Sequence, residues 1–175
     1  HIPEKRVPAL VAALARARAR VPGLRAEIYG DGPERPQVLA EIRRLGLEDV
    51  VDAPGFVEHA RVHEALRTAL CLVLPSAREG YGLVVVETAA RGTPSVVVAG
   101  EDNAATELIE AGVNGFVAAS AGPDDLADAI ARVHAAGPAL REATADWFAR
   151  NAATLSLEGS LRTVLAAYAP RLSRP

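Results

Sequence analysis

The chain has one cysteine and no methionine. The lone thiol, Cys71, rules out an internal disulfide, lies in an apolar run and suits a reducing compartment. No apolar run approaches the roughly 18 residues of a membrane-spanning helix, and no secretory leader pattern is present. The positive residues are scattered and the formal net charge is −3, so no basic stripe marks a nucleic-acid surface. There is no zinc-type Cys/His pattern. The four histidines (His1, His59, His63, His134) form no pair at a metal-binding interval with cysteine or carboxylate support. Internal repeats, linkers and low-complexity segments are missing as well. With no methionine at its start, the chain reads most simply as a piece of a longer polypeptide. At 175 residues, 50% apolar and 23% charged, it has the size and composition of one globular domain with a substantial core.

Apolar periodicity divides the chain into alternating elements. Val7, Leu10, Val11, Leu14 and Val21 recur at helical spacing up to Pro22-Gly23. Ala26 to Tyr29 is strand-like, and a second helix carries Val38, Leu39, Ile42 and Leu45. Val50 to Asp52 is a short strand, and Val62, Leu66, Ala69 and Leu70 mark a third helix. Cys71 to Leu74 is the next strand and Leu83 to Arg91 the next helix. Ser95 to Val98 and Gly115 to Val117 complete the strands, with a short helix over 103–110 between them. Three helical patterns end the chain, around Leu126, Ile130 and Val133, then Leu140, Ala143 and Trp147, then Leu157, Leu161, Val164, Leu165 and Tyr168. Trp147 and Tyr168 read as core or interdomain contacts.

This alternation predicts an α/β fold: a Rossmann-like, doubly wound parallel sheet with helices on both faces and the C-terminal helices packed beside it. In such sheets ligands bind beyond the carboxyl ends of the strands. The loops at 30–33, 55–58, 75–82 and 99–103 share that edge. One element is missing from the pattern. A right-handed crossover needs a strand before its helix, yet the first element here is a helix. In the six-stranded order that strand is central, and its loss leaves two unpaired edges. Residues just upstream of residue 1, or another segment, are expected to supply it.

The densest chemistry lies in Ala77-Arg78-Glu79-Gly80-Tyr81-Gly82-Leu83, which leads to Glu87 and then Gly92-Thr93-Pro94. A strand, a glycine-rich loop and a helix start aim free backbone N–H groups at an anion, most often a phosphate. Glu87 falls about 9 Å down that helix from Tyr81, at about 1.5 Å per residue, within reach of sugar hydroxyls on a bound diphosphate. The plain alternative is a strand-to-helix turn with two solvated glutamates. Glycine at 80 and 82 would let backbone approach phosphate closely, so valine at 82 is expected to abolish anion binding with the fold intact. Asp102 reads as a helix cap, Asp31 as turn chemistry, and Arg78 as either a phosphate contact or a surface residue.

Taken in order, these pieces resemble the C-terminal, donor-binding domain of a retaining GT-B glycosyltransferase of family 4, glycosyl transferases group 1. The resemblance rests on Pro3-Glu4-Lys5-Arg6, Gly30-Asp31-Gly32-Pro33, Pro54-Gly55-Phe56-Val57, Leu74-Pro75-Ser76, Glu79 to Glu87, Ala89 to Pro94, Glu107-Leu108 and Asn114 to Val117. It implies a nucleotide-diphosphate sugar (UDP- or GDP-linked) held here for hexosyl transfer, with no metal and no other cofactor. The acceptor (sugar, lipid or small molecule) would sit on a separate N-terminal domain, so the isolated fragment would be inactive. By position, Lys5 would touch the diphosphate, and the main chain of Gly80, Tyr81, Gly82 and Leu83 would face the diphosphate or sugar. Glu79 would be the catalytic group beside the transferred sugar, Glu87 would hold the ribose, and Val57 would present its backbone to the base. The arginine that usually precedes the lysine is not in this chain. Two other functions stay open: a nucleotide-sugar epimerase-type domain on the same fold, and a non-catalytic nucleotide-binding module. The location implied is cytoplasmic, with contact to the inner membrane face open through the other domain.

Overall fold

The computed structural model describes residues 1–156, 158, 159, 161, 162 and 164–166. Leu157 and Tyr168, named in the last helical pattern, lie outside them. A 3₁₀ turn, Pro3–Lys5, leads into α1 (Val7–Ala17), β1 (Ala26–Tyr29), α2 (Arg35–Arg44), β2 (Val51–Gly55) and α3 (His59–Thr68). There follow β3 (Leu72–Leu74), α4 (Leu83–Ala89), β4 (Ser95–Val98), a 3₁₀ segment (Ala104–Leu108), β5 (Gly115–Ala118), α5 (Pro123–Ala136) and α6 (Pro138–Leu155). All five strands overlap the segments the sequence marks, but β2 extends beyond Asp52 to Gly55. α1 stops at Ala17, short of Val21, whereas α6 runs on past Trp147 to Leu155.

Every strand pairing is parallel. β4 is the central strand of a three-stranded unit, and all four of its residues are buried. Successive side chains on a strand point to opposite faces, and the core follows that rule. Val96 and Val98 pack with Leu126, Ala129 and Val133 of α5. Val97 packs on the other side with Val85 of α4, Ala105 and Leu108. Helices therefore cover both faces, as a β-branched, fully apolar strand requires.

The second unit is β1 paired with β2, and no ladder joins β1 to β3. Between them lies a cavity of about 1030 Å³, bordered by both strands and by Val7, Leu10 and Leu14 of α1. The facing edges of β1 and β3 thus have no strand partner among the described residues. What joins the two units is helical. α1 contributes Val11 and Leu14 to the β1–β2 core and Ala13 to the β4–β5 core. α5 likewise sends Ala127 and Ile130 to one and Leu126 and Val133 to the other. Ion pairs Arg16–Asp124 and Arg20–Asp128 reinforce the α1–α5 contact at the surface. No helix among the described residues is long and apolar enough to cross a membrane.

Cys71 borders the same cavity, and burial pushes its thiol up to about 12. The folded protein therefore keeps the thiol protonated while the unfolded chain ionises it near its ordinary value of 9.0. Stability from this group is present at neutral pH and is withdrawn as pH rises from about 9 toward 12. Between pH 8 and 10 the wild type should lose about 1.4 kcal/mol more stability than Cys71→Ala in urea melts. Equal losses would show that the thiol is not desolvated.

Candidate functional site

The parallel strands deliver their following loops to one rim, and the β3–α4 loop forms its centre. Pro75 and Ser76 are buried, so the loop leaves the sheet from a fixed point. The β4 loop then holds it in two ways. Glu79 N–H donates to the carbonyl of Asp102 at 3.1 Å, and Ala104 N–H donates to the carbonyl of Glu79 at 3.0 Å. Asn103, only 2% exposed, does the rest. Its Nδ2 donates to Ser76 O at 3.2 Å and to Val98 O at 2.8 Å, while its Oδ1 accepts from Ala105 N–H at 3.2 Å. One carboxamide thus ties the β3 end, the β4 end and the 3₁₀ segment together. The expected cap, Asp102, is not the capping residue: Asn103 caps the 3₁₀ segment, and Asp102 lies 3.5 Å from Arg78 in an exposed pair. An adjacent pair of short polar residues gives no sequence signal for which of the two is turned inward.

Lys5 reaches this loop from the other end of the chain. The carbonyl of Glu4 accepts from Ala77 N–H at 2.7 Å, which docks the first 3₁₀ turn against the loop. Lys5 Nζ then donates to Glu79 Oε1, and Ser76 Oγ donates to the same oxygen at 2.8 Å. The Glu79 side chain is 14% exposed and that of Lys5 40%. Sequence placed Lys5 at a diphosphate; in this structure it rests on the acid expected beside the sugar. Arg6, next in the chain, is the one non-glycine residue with a left-handed backbone among the described residues, at φ 49°. Such a conformation costs of order 1–2 kcal/mol and redirects the chain from the turn into α1.

The main-chain N–H groups of Gly80, Tyr81, Gly82 and Leu83 donate to no acceptor among the described residues. They stand at the mouth of α4, where orphan donors need an outside partner. The two glycines differ in what they do. A Cβ on Gly80 would meet nothing within 4 Å. Gly82 has φ 82°, and a Cβ there would come within 2.8 Å of Ala105 Cβ. Gly82 is therefore a packing and backbone requirement, and the expectation that valine at 82 spares the fold is overturned.

Glu87 lies exposed on α4. No hydrogen bond or ion pair among the described residues takes its carboxylate, while its carbonyl accepts from Arg91 Nη1. Val57 follows β2 on the same rim, half-buried, beside Phe56, which is 86% exposed. The fold also gathers a group that sequence reading passed over. His59 and His63 of α3 meet Glu87 of α4, with one potential ligand atom from each inside 4.8 Å of the others. The i, i+4 spacing of the histidines was visible in the sequence. The carboxylate that completes the group comes from a different helix, so only the tertiary fold reveals it.

The comparisons with known proteins agree with this fold. A family model described as glycosyl transferases group 1 matches residues 2–147. A D-inositol 3-phosphate glycosyltransferase of Kribbella flavida is 34% identical over 175 residues, covering 95% of this chain and 41% of the relative. The chain thus spans about 41% of the length of that relative. The crystal structure of HepE from Anabaena in complex with UDP-glucose superposes with a TM-score of 0.78 at 26% identity, over 99% of this chain and 46% of that one. The C-terminal domain of LpcC, a glycosyl transferase group 1 family protein of Francisella tularensis, gives 0.76 at 16% identity, over 90% of this chain and 83% of that one. The last likeness is one of fold.

The glycine contrast is measurable. Gly82→Ala should destabilise the protein by about 1–3 kcal/mol through strain and overpacking against Ala105. Gly80→Ala should stay within about 0.5 kcal/mol of wild type. Equal urea midpoints for the two variants would contradict the packing role of Gly82.

Proposed function

This chain belongs to the group 1 glycosyl transferases and has the fold of a GT-B C-terminal domain; from that premise we propose that it is the donor-binding domain of a retaining hexosyltransferase. In this reading it holds a nucleotide-diphosphate sugar, UDP- or GDP-linked, and a separate N-terminal domain holds the acceptor. The observation that carries the reading is the convergence on one rim of free amides, a lysine and two carboxylates in different states. Glu79 is held by Lys5 and Ser76, while the carboxylate of exposed Glu87 takes no hydrogen bond or ion pair among the described residues.

The roles follow from charge and reach. The orphan N–H groups of Gly80 to Leu83 would take the diphosphate oxygens, where Gly80 leaves open space for close approach. Glu87 would accept from the ribose hydroxyls, and the main chain of Val57 would meet the base. As the glycosidic bond breaks, the leaving diphosphate gains negative charge, and a nearby ammonium stabilises that state more than the ground state. Lys5 would therefore exchange part of its contact with Glu79 for phosphate as donor binds, freeing Glu79 to accept from the hydroxyls of the transferred sugar. No step in this account uses a metal. The unpaired edges of β1 and β3 and the apolar cavity between them suit one further parallel strand. We assign that strand to residues upstream of His1, which would also bring the acceptor-holding domain to the rim. The proposed location is the cytoplasm, with the inner membrane face reachable through that domain.

Calorimetry of the full-length protein with UDP and GDP sugars tests the site. Glu87→Gln should weaken nucleotide binding by tenfold to hundredfold, equivalent to about 1.5–3 kcal/mol for hydrogen bonds to a charged group. Glu79→Gln should bind donor but lose transfer by at least about a hundredfold. Unchanged nucleotide affinity in Glu87→Gln would remove the ribose role. The upstream strand is tested by hydrogen exchange. The edge amides of β1 and β3 should be protected in the full-length protein and exchange freely in the 175-residue chain; equal protection would dismiss the assignment.

A further inference from the structure

The group formed by His59, His63 and Glu87 has no part in the transfer chemistry outlined above except through Glu87. Two residues of a helix separated by four positions share a face, so α3 presents both imidazoles together. Their ring centroids are 4.0 Å apart with planes inclined at 58°. Across from them α4 supplies the Glu87 carboxylate, and the three potential ligand atoms lie within 4.8 Å of one another. A tetrahedral zinc site with bonds of about 2.0–2.1 Å places its ligand atoms about 3.4 Å apart, so modest side-chain rotation closes the cluster.

Two further observations point to a ligand. His63 Nε2 is buried and has no hydrogen-bond partner among the described residues, leaving a polar ring atom unsatisfied. Among the described residues the Glu87 carboxylate likewise takes no hydrogen bond or ion pair, and Arg91 engages its main-chain carbonyl.

We propose that His59, His63 and Glu87 form a binding site for a divalent transition-metal ion, with two imidazoles and one carboxylate as ligands and water in the remaining position. The donor set is that of zinc and its neighbours, not of calcium or magnesium, which prefer all-oxygen shells. The site stands on geometry alone. Its consequence for donor binding rests on the ribose role proposed for Glu87: a carboxylate bound to metal is withdrawn from the sugar, so metal and nucleotide antagonise each other. Linkage makes that antagonism reciprocal.

The test is calorimetric titration of the full-length protein with zinc chloride alone in a non-chelating buffer. Wild type should bind one zinc per chain, and His59→Ala/His63→Ala should bind it at least tenfold more weakly. His59 is exposed, so His59→Ala by itself guards against a folding defect and should also weaken zinc. Zinc affinity unchanged in all three variants, Glu87→Gln included, would overturn the site. A second titration, of UDP with and without zinc, separates this inference from the one beneath it. Zinc should weaken UDP binding at least fivefold in wild type and leave the double variant unaffected, which also removes any effect of zinc bound by UDP in solution. Zinc that binds at these residues while UDP affinity stays constant keeps the metal site and removes Glu87 from the ribose. Failure of both UDP and GDP to bind even without zinc defeats the donor-site reading and leaves the zinc result standing.

Discussion

The contact between Lys5 and Glu79 joins two parts of the chain 74 positions apart, and much of the rim's geometry depends on it. Lys5 sits in a turn docked through Glu4 to Ala77, and Glu79 sits in a loop docked through Asp102 and Ala104. Neither docking alone would put opposite charges together. With both in place the acid is mostly enclosed, and Ser76 satisfies it further. An enclosed carboxylate left without such partners would be expensive, so the pair and the loop conformation support one another. The left-handed backbone at Arg6 is the local cost of bringing the lysine back over the sheet before α1 begins.

Much of this was legible in the sequence because its signals are local. Ser95 to Val98 is a run of β-branched residues between proline and glycine, and it became the fully buried central strand. The ordered motifs from Pro3 to Val117 identified the family, and Glu79 and Glu87 fell on the expected loop and helix. What escaped depends on which way a side chain turns or on what lies across from it. Asn103 and Asp102 are neighbours of nearly equal size, yet only one faces the interior. Gly82 reads like any phosphate-loop glycine until Ala105 is seen behind it. The histidines of α3 became a cluster only when α4 was laid against them.

The domain is held together differently above and below its midline. Within each strand unit the links are ladder hydrogen bonds; between the units they are helix contacts, chiefly α1 on α5. The turn, loop and helix that carry Lys5, Glu79 and Glu87 all belong to or dock on the β3–β4–β5 unit, whereas Val57 belongs to the other. A ligand reaching from Val57 to Glu79 would span both, so its fit depends on how α1 and α5 set the two halves.

Asn103 has a chemical consequence of its own. Both of its donated bonds leave from a single nitrogen, and their acceptors are the carbonyls of Ser76, in the loop after β3, and Val98, the last residue of β4. Spontaneous loss of that nitrogen, the ageing reaction by which asparagine becomes aspartate, would replace two donors with an oxygen facing two oxygens. The change would thus remove two of the bonds that hold the β3–α4 loop to the sheet and add a negative charge at the rim, leaving the Glu79 main-chain bonds to hold the loop. How fast that loss proceeds depends on how firmly the three hydrogen bonds at its carboxamide hold Asn103 away from the cyclised geometry through which the reaction passes.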